Sequence, residues 1–249
     1  MATPAAVELR DLAHVYPDGT AALRGVDLRI EAGETVALVG ANGAGKSTLL
    51  AHLNGLLTAA EGQVLIAGMA VAPATLREIR RRVGYVFQQA DDQLFMPTVA
   101  EDVAFGPSNL GLDAATVAAR VQAALERVAA AHLSARAPWR LSGGEKRAVA
   151  IAGVLAMAPE VLVLDEPSSD LDPAARRRLI ELLKGLPQTL VLATHDLALA
   201  LEVCRRVVVL SEGRVRADGA PAAVFADAAL LAQCRLEMPA WVPAGLGRL

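Results

Sequence analysis

Glycine, lysine and serine recur at a fixed spacing between residues 40 and 47, within "VALVGANGAGKSTLLAHLNGL". The run reads G-x-x-x-x-G-K-S, directly after an apolar strand pattern and at the start of a helical one. Such glycines let the backbone wrap closely and aim its N–H groups at phosphate oxygens, and the helix start adds partial positive charge. Lys46 would bridge the outer phosphates, and the Ser47 hydroxyl would ligate Mg²⁺. The residues expected around bound phosphate groups are Gly40, Asn42, Gly43, Ala44, Gly45, Lys46, Ser47 and Thr48.

Two adjacent carboxylates follow an apolar run in "VLVLDEP", where Asp165 and Glu166 come after four apolar residues. An isolated run of this kind is usually an ordinary strand end. Together with a phosphate-binding loop, it predicts that both carboxylates emerge into the crevice at the carboxyl end of a parallel sheet. Asp165 would then hold Mg²⁺ together with Ser47, and Glu166 would polarise the attacking water as a general base.

The elements that must position these groups follow an α/β pattern. The segments "TVALVG", "RVGYVF", "EVLVLDEP", "TLVLAT" and "RVVVL" read as short buried strands, and helical patterns separate them. This alternation predicts an α/β fold with a mainly parallel sheet. Before the first of these strands, residues 7–34 alternate and contain turn residues, which predicts a small antiparallel β layer. We expect the hairpin-like segment "RVVVLSEGRVRADG" to complete that layer.

A helical block interrupts the strand pattern between Pro97 and Pro138. Apolar residues recur there at helical spacing, and Asp113 is placed to cap the helix that carries them. The predicted organisation is a single domain over residues 1–249. Its parts are an α/β core at 1–96 and 159–220, an inserted helical subdomain at 97–158, and a C-terminal helical tail at 221–249.

The composition and the net charge of the chain limit the kinds of molecule that it is expected to bind. With 54% hydrophobic and 20% charged residues the chain folds, and its net charge of −3 lacks the basic excess of proteins that wrap nucleic acid. The arginine runs at 80–82 and 176–178 are expected to be solvated helix faces, with phosphate-backbone contact as the alternative. Cys204 and Cys234 lack metal-ligand spacing and are expected to be buried free thiols. No segment resembles a signal peptide or a membrane span, so we expect a cytosolic protein.

A second glycine-rich motif lies between the two phosphate-site motifs, in "LSGGEKRAVAIAGVLA" from Leu141 onward. Taken alone, Ser142, Gly143 and Gly144 could simply cap a helix. In this position they resemble the Leu-Ser-Gly-Gly signature of ABC-transporter ATP-binding subunits, a P-loop NTPase family with a RecA-like core, and the resemblance covers nearly the whole chain.

The resemblance implies ATP hydrolysis in a head-to-tail dimer, in which the signature of one subunit closes over the nucleotide of the other. A full set of motifs in one chain favours a homodimer. By the same resemblance, Tyr16 stacks on adenine, Gln88 senses the γ-phosphate and Mg²⁺, residues 169–172 form an inter-subunit loop with Asp170 near the nucleotide, and His195 contacts the γ-phosphate. The implied catalytic set is Lys46, Gln88, Glu166 and His195, and the implied Mg²⁺ set is Ser47, Gln88 and Asp165.

Two residues depart from the family pattern. Glu145 stands where glutamine is commoner, and Asp170 stands where a small residue is usual. Because phosphate would repel a carboxylate, we expect Glu145 to turn toward ribose hydroxyls or a basic neighbour.

Residues 86–95, "VFQQADDQLF", give a finer resemblance. With the "PTVAEDVAFGPSNLGL" that follows, they are similar to the energy-coupling-factor ATPases of vitamin and metal-ion importers, whose usual Asn-Pro is replaced here by Gln89 and Ala90. Among these the cobalt importers are nearest, while nickel and biotin importers share the same strings. The likeness implies a transmembrane coupling protein and a substrate-binding membrane subunit as partners, with the chain on the cytoplasmic face of the membrane. The residues implied in docking are Asp91, Asp92, Leu94 and Phe95.

Other classes stay open at this point. A soluble ABC ATPase of iron–sulfur assembly would share the same ATP-hydrolysing motifs, and the "DDQLF" loop is the main feature against that class. A non-enzymatic nucleotide sensor is disfavoured because Glu166 and His195 are both present.

Overall fold

Strands in two sheets provide the frame of the protein. The structure is a computed structural model that describes residues 4–237. The strands in chain order are β1 (Val7–Val15), β2 (Ala21–Ile30), β3 (Thr35–Val39), β4 (Glu61–Ile66), β5 (Met69–Ala70), β6 (Val83–Val86), β7 (Val161–Asp165), β8 (Thr189–Thr194), β9 (Arg206–Ser211) and β10 (Arg214–Gly219).

The larger sheet is mainly parallel, with the strand order β10-β9-β3-β8-β7-β6. The five apolar segments predicted as strands are its five parallel members, and every residue of β7 and β8 is buried. Helices cover both faces of such a sheet, so its central strands need continuous apolar runs rather than alternation. The predicted α/β fold with a mainly parallel sheet is therefore confirmed.

The smaller sheet is antiparallel, with the order β2-β1-β4-β5, and it confirms the β layer predicted before β3. The prediction that the β9–β10 hairpin completes this layer is wrong. β9 pairs in parallel with β3 and thereby joins the larger sheet, and β10 follows as its antiparallel edge. The reason lies in β9 itself, because Val207–Leu210 are all buried and such a run needs cover on both faces.

Helices surround the sheets and also form a separate group between β6 and β7. The helices in chain order are α1 (Lys46–Leu53), α2 (Leu76–Arg82), α3 (Val99–Asn109), α4 (Ala114–Arg127), α5 (Gly143–Leu155), α6 (Pro173–Lys184), α7 (Leu197–Val203), α8 (Pro221–Ala226) and α9 (Ala228–Gln233). Helices α3, α4 and α5 pack on one another around their own apolar cluster, whose members include Val99, Val103, Val121, Leu125, Leu133 and Val149.

Side-chain caps fix where these helices begin. Asp113 accepts hydrogen bonds from the backbone N–H groups of Ala115 and Thr116, which confirms its predicted role at the start of α4. Thr98 and Glu101 form a reciprocal capping box at the start of α3. The boundaries of the helical insertion at 97 and 158 remain a prediction.

Helix α5 connects this helical group to the larger sheet. A Cβ on Gly84 of β6 would collide with Val154 of α5 and would lie 3.0 Å from Cγ of Pro159. The strand and the helix can approach this closely only because residue 84 is glycine.

The remaining sequence predictions concern surface charge, thiols and the C terminus. Cys204 and Cys234 are buried free thiols, and burial raises the pKa of Cys204 to about 12. Within residues 4–237, every helix is too short or too polar to cross a bilayer. Helices α8 and α9 begin the predicted tail, and its last residues lie outside the described part of the chain. Several side chains of the two arginine runs lie in ion pairs, which are Arg81–Glu78, Arg82–Glu78, Arg176–Asp196 and Arg177–Glu202.

Candidate nucleotide site

The phosphate-binding loop connects the end of β3 to the first turn of α1. Gly43 and Gly45 have φ values of +81° and +103°, which only glycine adopts without strain. A Cβ on Gly40 would collide with the carbonyl oxygen of Leu210, and one on Gly45 with the carbonyl oxygen of Ala22. No side chain caps the start of α1, so its first N–H groups face the loop. The loop is therefore shaped to bring backbone donors to an anion.

The β9–β10 turn supports this loop from behind. The backbone N–H of Gly213 donates to the carbonyl oxygen of Ala44 at 3.1 Å, and the carbonyl of Gly213 accepts from Arg24 at 2.9 Å. Gly40 packs directly on the Leu210 carbonyl oxygen. The β9–β10 turn, which comes late in the chain, thus fixes the position of the phosphate-binding loop, which comes early in the chain.

Lys46 is the cation inside the loop. Only 6% of the residue is exposed, and its Nζ donates to the carbonyl oxygens of Gly40 at 2.8 Å and Ala41 at 3.3 Å. Oε1 of Glu166 lies 3.5 Å from the same Nζ. A buried ammonium so close to uncapped N–H groups attracts an anion.

Asp165, at the end of β7, has the chemistry of a cation ligand. It is 5% exposed, its Oδ2 accepts from the Tyr85 hydroxyl at 3.3 Å, and its Oδ1 has no hydrogen-bond partner within residues 4–237. Burial raises the pKa of Asp165, and interaction with the nearby Ser47 hydroxyl opposes that shift. A free carboxylate oxygen beside a hydroxyl is the oxygen-only donor set that Mg²⁺ prefers, so these residues fit the ion.

Directly after β7 the chain turns at Glu166, and the backbone of this residue is strained. Its φ is +43°, a left-handed conformation that costs a non-glycine residue about 1–2 kcal/mol. Its N–H donates to the carbonyl of Ala193 at 2.8 Å, which ties this conformation to β8. Its Oε2 lies 2.9 Å from Nδ1 of His195 and accepts from the backbone N–H of His195 at 3.3 Å. The strain thus turns the carboxylate toward Lys46 and His195 rather than along the sheet.

A cavity of about 450 Å³ lies over the loop, a volume suited to a small-molecule ligand. Predicted site residues from five separate segments of the chain meet in its wall. Those that line it are Tyr16, Asn42, Gly43, Gly45, Lys46, Ser47, Thr48, Gln88, Glu166 and His195. Thr20, Ala21 and Ala22 also line it, and the sequence patterns do not single them out.

Tyr16 is held in place by contacts that no sequence motif indicates. Its hydroxyl lies 3.0 Å from Oγ1 of Thr48, and its ring meets that of His14 edge-on at 4.7 Å between centroids. His14 in turn meets the fully buried His52 of α1 at 4.9 Å. Burial lowers the pKa of His52, a shift that a hydrogen bond to the Thr48 carbonyl opposes. The imidazoles of His14 and His52 thus form an aromatic support beside the tyrosine.

The Leu-Ser-Gly-Gly motif does not line this cavity. Ser142 caps α5, and Oε2 of Glu145 accepts hydrogen bonds from both the N–H and the hydroxyl of Ser142 at 2.8 Å. Those bonds lower the pKa of Glu145, and the nearby charges of Arg136 and His132 lower it further. Glu145 therefore completes a capping box, which was not among the roles predicted for it. Ser142 and Gly143 are exposed, and a Cβ on Gly143 would meet nothing within 4 Å.

Asp170 also lies away from the cavity wall. It is exposed and has a left-handed φ of +62°, in the turn before Asp172 caps α6. The predicted nucleotide residues Ser142, Gly143, Gly144 and Asp170 are thus separate from the phosphate-binding loop of their own chain.

Comparison with known proteins agrees with this geometry. The model of the ABC transporter family matches residues 23–169, which is more than half of the chain. The chain belongs to the ABC transporter ATPases. It is 50% identical to the energy-coupling factor transporter ATP-binding protein EcfA of Methanothermobacter thermautotrophicus, over 94% of this chain and 76% of that protein. This ABC ATPase is therefore of the energy-coupling-factor type.

Two solved structures are similar to this ABC ATPase. One is cbiO1 from Clostridium perfringens, described as part of the ABC transporter complex cbiONQ, with 38% identity, a TM-score of 0.82 and coverage of 95% of this chain and 96% of that one. The other is an ATP-binding cassette solved as a dimer in a post-hydrolysis state with ADP and phosphate. It has 30% identity, a TM-score of 0.78 and coverage of 86% of this chain and 98% of that one.

The loop after β6 carries the four residues predicted to dock a membrane partner. Asp91 has its Oδ1 2.6 Å from Nζ of Lys146 on α5, and 71% of its side chain is exposed. Asp92 is exposed in the same short turn and forms no ion pair within the described residues. Leu94 packs on the helical cluster, while Phe95 is 61% exposed and meets the exposed ring of Phe105 edge-on at 4.9 Å. Of the four predicted docking residues, Asp91, Asp92 and Phe95 are therefore exposed, and Asp92 is the carboxylate without an ion-pair partner in the described part of the chain.

Proposed function

We propose that this ABC ATPase hydrolyses ATP as one half of a head-to-tail homodimer and thereby drives uptake through an energy-coupling-factor membrane complex. The observation that carries the proposal is the separation of its two anion-binding motifs. The cavity over Lys46 contains the phosphate-binding loop and Glu166 but no signature residue, and Ser142 and Gly143 are exposed. A second copy can supply the missing wall.

The residues in and next to the cavity that bind phosphate or Mg²⁺ have separate roles in this proposal. Lys46 and the N–H groups at the start of α1 bind and orient phosphate oxygens. Ser47 and Asp165 hold Mg²⁺, and Gln88 reaches the same region from the loop after β6. Bound ATP supplies the phosphoryl group, and the ion neutralises phosphate charge.

Glu166 is the proposed general base. Its Oε2 faces the His195 ring, and its other oxygen faces Lys46, so the carboxylate is held in one orientation at the cavity wall. From there it can accept the proton of an attacking water, while His195, which is 62% exposed by its side chain, donates to the transferring phosphoryl group.

The proposed substrate of the transporter is cobalt, with nickel and biotin or another vitamin as alternatives. The support is the similarity of the loop after β6 to those importers, together with the 38% identity to cbiO1. A transmembrane coupling protein and a substrate-binding membrane subunit are the proposed partners, which would place the chain at the cytoplasmic face of the membrane. Uptake of radiolabelled cobalt, nickel and biotin by cells with the assembled complex distinguishes these substrates.

The test of the catalytic proposal is Glu166→Gln, with Glu160→Gln as the control. Glu160 precedes the same strand, and its side chain is 60% exposed. Glu166→Gln should bind Mg-ATP normally, lose at least about 10²-fold in turnover because the base is gone, and elute as a dimer with Mg-ATP in size-exclusion chromatography. Glu160→Gln should behave as the wild type. Persistent turnover together with a monomeric profile would rule out both the base and the sandwich.

A further inference from the structure

Arg147, on the second turn of α5, fixes the backbone of the loop that carries Gln88. Its Nη1 donates to the carbonyl oxygen of Phe87 at 2.7 Å, and its Nη2 donates to the carbonyl oxygen of Gln88 at 2.5 Å. One planar guanidinium therefore holds two consecutive carbonyl groups, a geometry that an ammonium cannot reproduce.

Two further contacts join the same segments. The side-chain amide of Gln93 donates to the carbonyl of Ala150 at 2.8 Å, and its oxygen accepts from the N–H of Phe87 at 3.3 Å. Farther out, Lys146 pairs with Asp91. The loop after β6 is thus attached to α5 at three successive levels, and Arg147 is the most deeply buried of these side chains.

The burial of Arg147 is costly for the fold. Only 6% of the residue is exposed, its partners are neutral carbonyls, and its Nε has no hydrogen-bond partner within residues 4–237. Burial lowers its pKa, and the charges of Asp170 and Asp165 offset that effect only in part. A buried cation without a directly bonded carboxylate is weak evidence for a stabilising role. Its position between three parts of the protein indicates instead that Arg147 transmits movement from one part to another.

Those parts are the nucleotide cavity, the signature and the inter-subunit loop, whose Leu171 lines a second cavity together with Arg147. The residue that Arg147 holds, Gln88, lines the cavity, and the helix that carries Arg147 begins at the exposed signature Ser142. A shift of Gln88 on nucleotide binding would move its carbonyl, and through Arg147 it would move the end of α5 that faces the second subunit.

We propose that Arg147 is a positioning residue that locks the Gln88 backbone to α5, so that contact of Gln88 with the γ-phosphate and the orientation of the signature change together. The proposal rests on the proposed function, because it assumes that the signature meets nucleotide bound by the other subunit. Arg147 itself touches neither nucleotide nor reacting atoms.

The test compares Arg147→Lys with Arg120→Lys, both in the Glu166→Gln background so that ATP persists. Arg120 is a matched control, because its Nη1 donates to the carbonyls of Ala156 and Met157 at 3.3 Å, away from the cavity. Amide hydrogen exchange is measured with ATP and with ADP. In the Glu166→Gln parent, ATP but not ADP should slow exchange in residues 143–149, and both nucleotides should protect the phosphate-binding loop.

Arg147→Lys should retain protection of the phosphate-binding loop and lose the difference between ATP and ADP in α5, whereas Arg120→Lys should keep both. With Glu166 intact, Arg147→Lys should lower kcat about tenfold and leave the KM for ATP within about twofold. An unchanged ATP–ADP difference in Arg147→Lys, with or without a lower Tm, would show a purely structural residue and overturn the proposal. Absence of that difference in the parent would overturn the head-to-tail dimer as well.

Discussion

At the scale of single residues, the site holds a buried carboxylate whose desolvation the neighbouring protein groups offset only in part. Asp165 is 5% exposed with an unpartnered Oδ1, and burial raises its pKa above the ordinary value. A carboxyl whose pKa is higher in the folded than in the unfolded chain is charged at neutral pH at the expense of folding stability. We infer that this part of the site is arranged for its ligands rather than for stability of the empty protein.

Asp165→Asn should therefore raise the Tm of the ligand-free protein and abolish ATP turnover. The amide retains an acceptor for Tyr85 but carries no charge, and each kcal/mol gained shifts Tm by about 2–4 °C in a chain of this size. Asp102→Asn is the control, since burial also raises the pKa of Asp102 and its carboxylate accepts from Phe95 and Met96 outside the nucleotide cavity. Calorimetry and turnover should show higher Tm for both variants but lost activity for Asp165→Asn alone. A lower Tm for Asp165→Asn would contradict this explanation.

Some properties of single residues could be predicted from the sequence, and others depend on contacts between distant segments. Lys46, Asp165 and Glu166 were predicted because each belongs to a local motif next to an apolar strand. The left-handed backbone of Glu166 depends on a hydrogen bond to β8, and the contact of Arg147 joins segments about 60 residues apart. Neither leaves a pattern in adjacent residues, so only the folded chain reveals them.

At the scale of elements, the contact between β6 and α5 determines how the helical group meets the larger sheet. Gly84 lets the strand approach Val154 and Pro159 more closely than any side chain would permit. The loop with Gln88 begins directly after this strand, so the approach of strand and helix also sets the distance that Arg147 spans.

Gly84→Ala should lower the free energy of unfolding by about 1–3 kcal/mol, because its Cβ would force β6 away from α5. Gly143→Ala is the control, since nothing lies within 4 Å of its Cβ and alanine is preferred to glycine in a helix. Urea unfolding of the two variants should show destabilisation for Gly84→Ala and equal or greater stability for Gly143→Ala. Equal midpoints would mean that the helical group adjusts freely against the sheet.

The elements themselves were largely predictable. Continuous apolar runs identified all five parallel strands, and alternation identified the antiparallel layer. The β9–β10 hairpin was assigned to the wrong sheet because its hairpin pattern resembles that of the antiparallel layer, whereas the buried β9 pairs in parallel with β3. The apolar run of β9 indicates that both of its faces are covered, but the sequence of one strand does not specify which strand lies beside it.

At the scale of the whole molecule, the loop after β6 presents an acidic and aromatic face away from the nucleotide. Asp91 is exposed but paired with Lys146, so Asp92 is the carboxylate of that turn that has no ion-pair partner within residues 4–237; the rings of Phe95 and Phe105 are also exposed. A guanidinium on a membrane partner would pair with it and fix the register of docking more than the affinity.

The double variant Asp91→Asn with Asp92→Asn should keep the ATPase activity of the isolated subunit and weaken co-purification of the membrane partners. Each single variant serves as the control for the other. Asp92→Asn should account for most of the loss, since the charge of Asp91 is compensated within the chain by Lys146. The measurement is recovery of the membrane subunits on the tagged ATPase. Unchanged recovery with the double variant would remove the docking role from this loop.

Leu210 and Gly213 support the phosphate-binding loop, so the ribosome must synthesise both of them before the loop can take its final position. The loop leaves the ribosome early, while the hairpin on which it rests is among the last parts of the described chain to be made. Contacts between such distant segments form late and raise the entropy cost of folding. The nascent N-terminal part therefore lacks its phosphate cradle, and we expect ATP binding only after the β9–β10 hairpin has emerged.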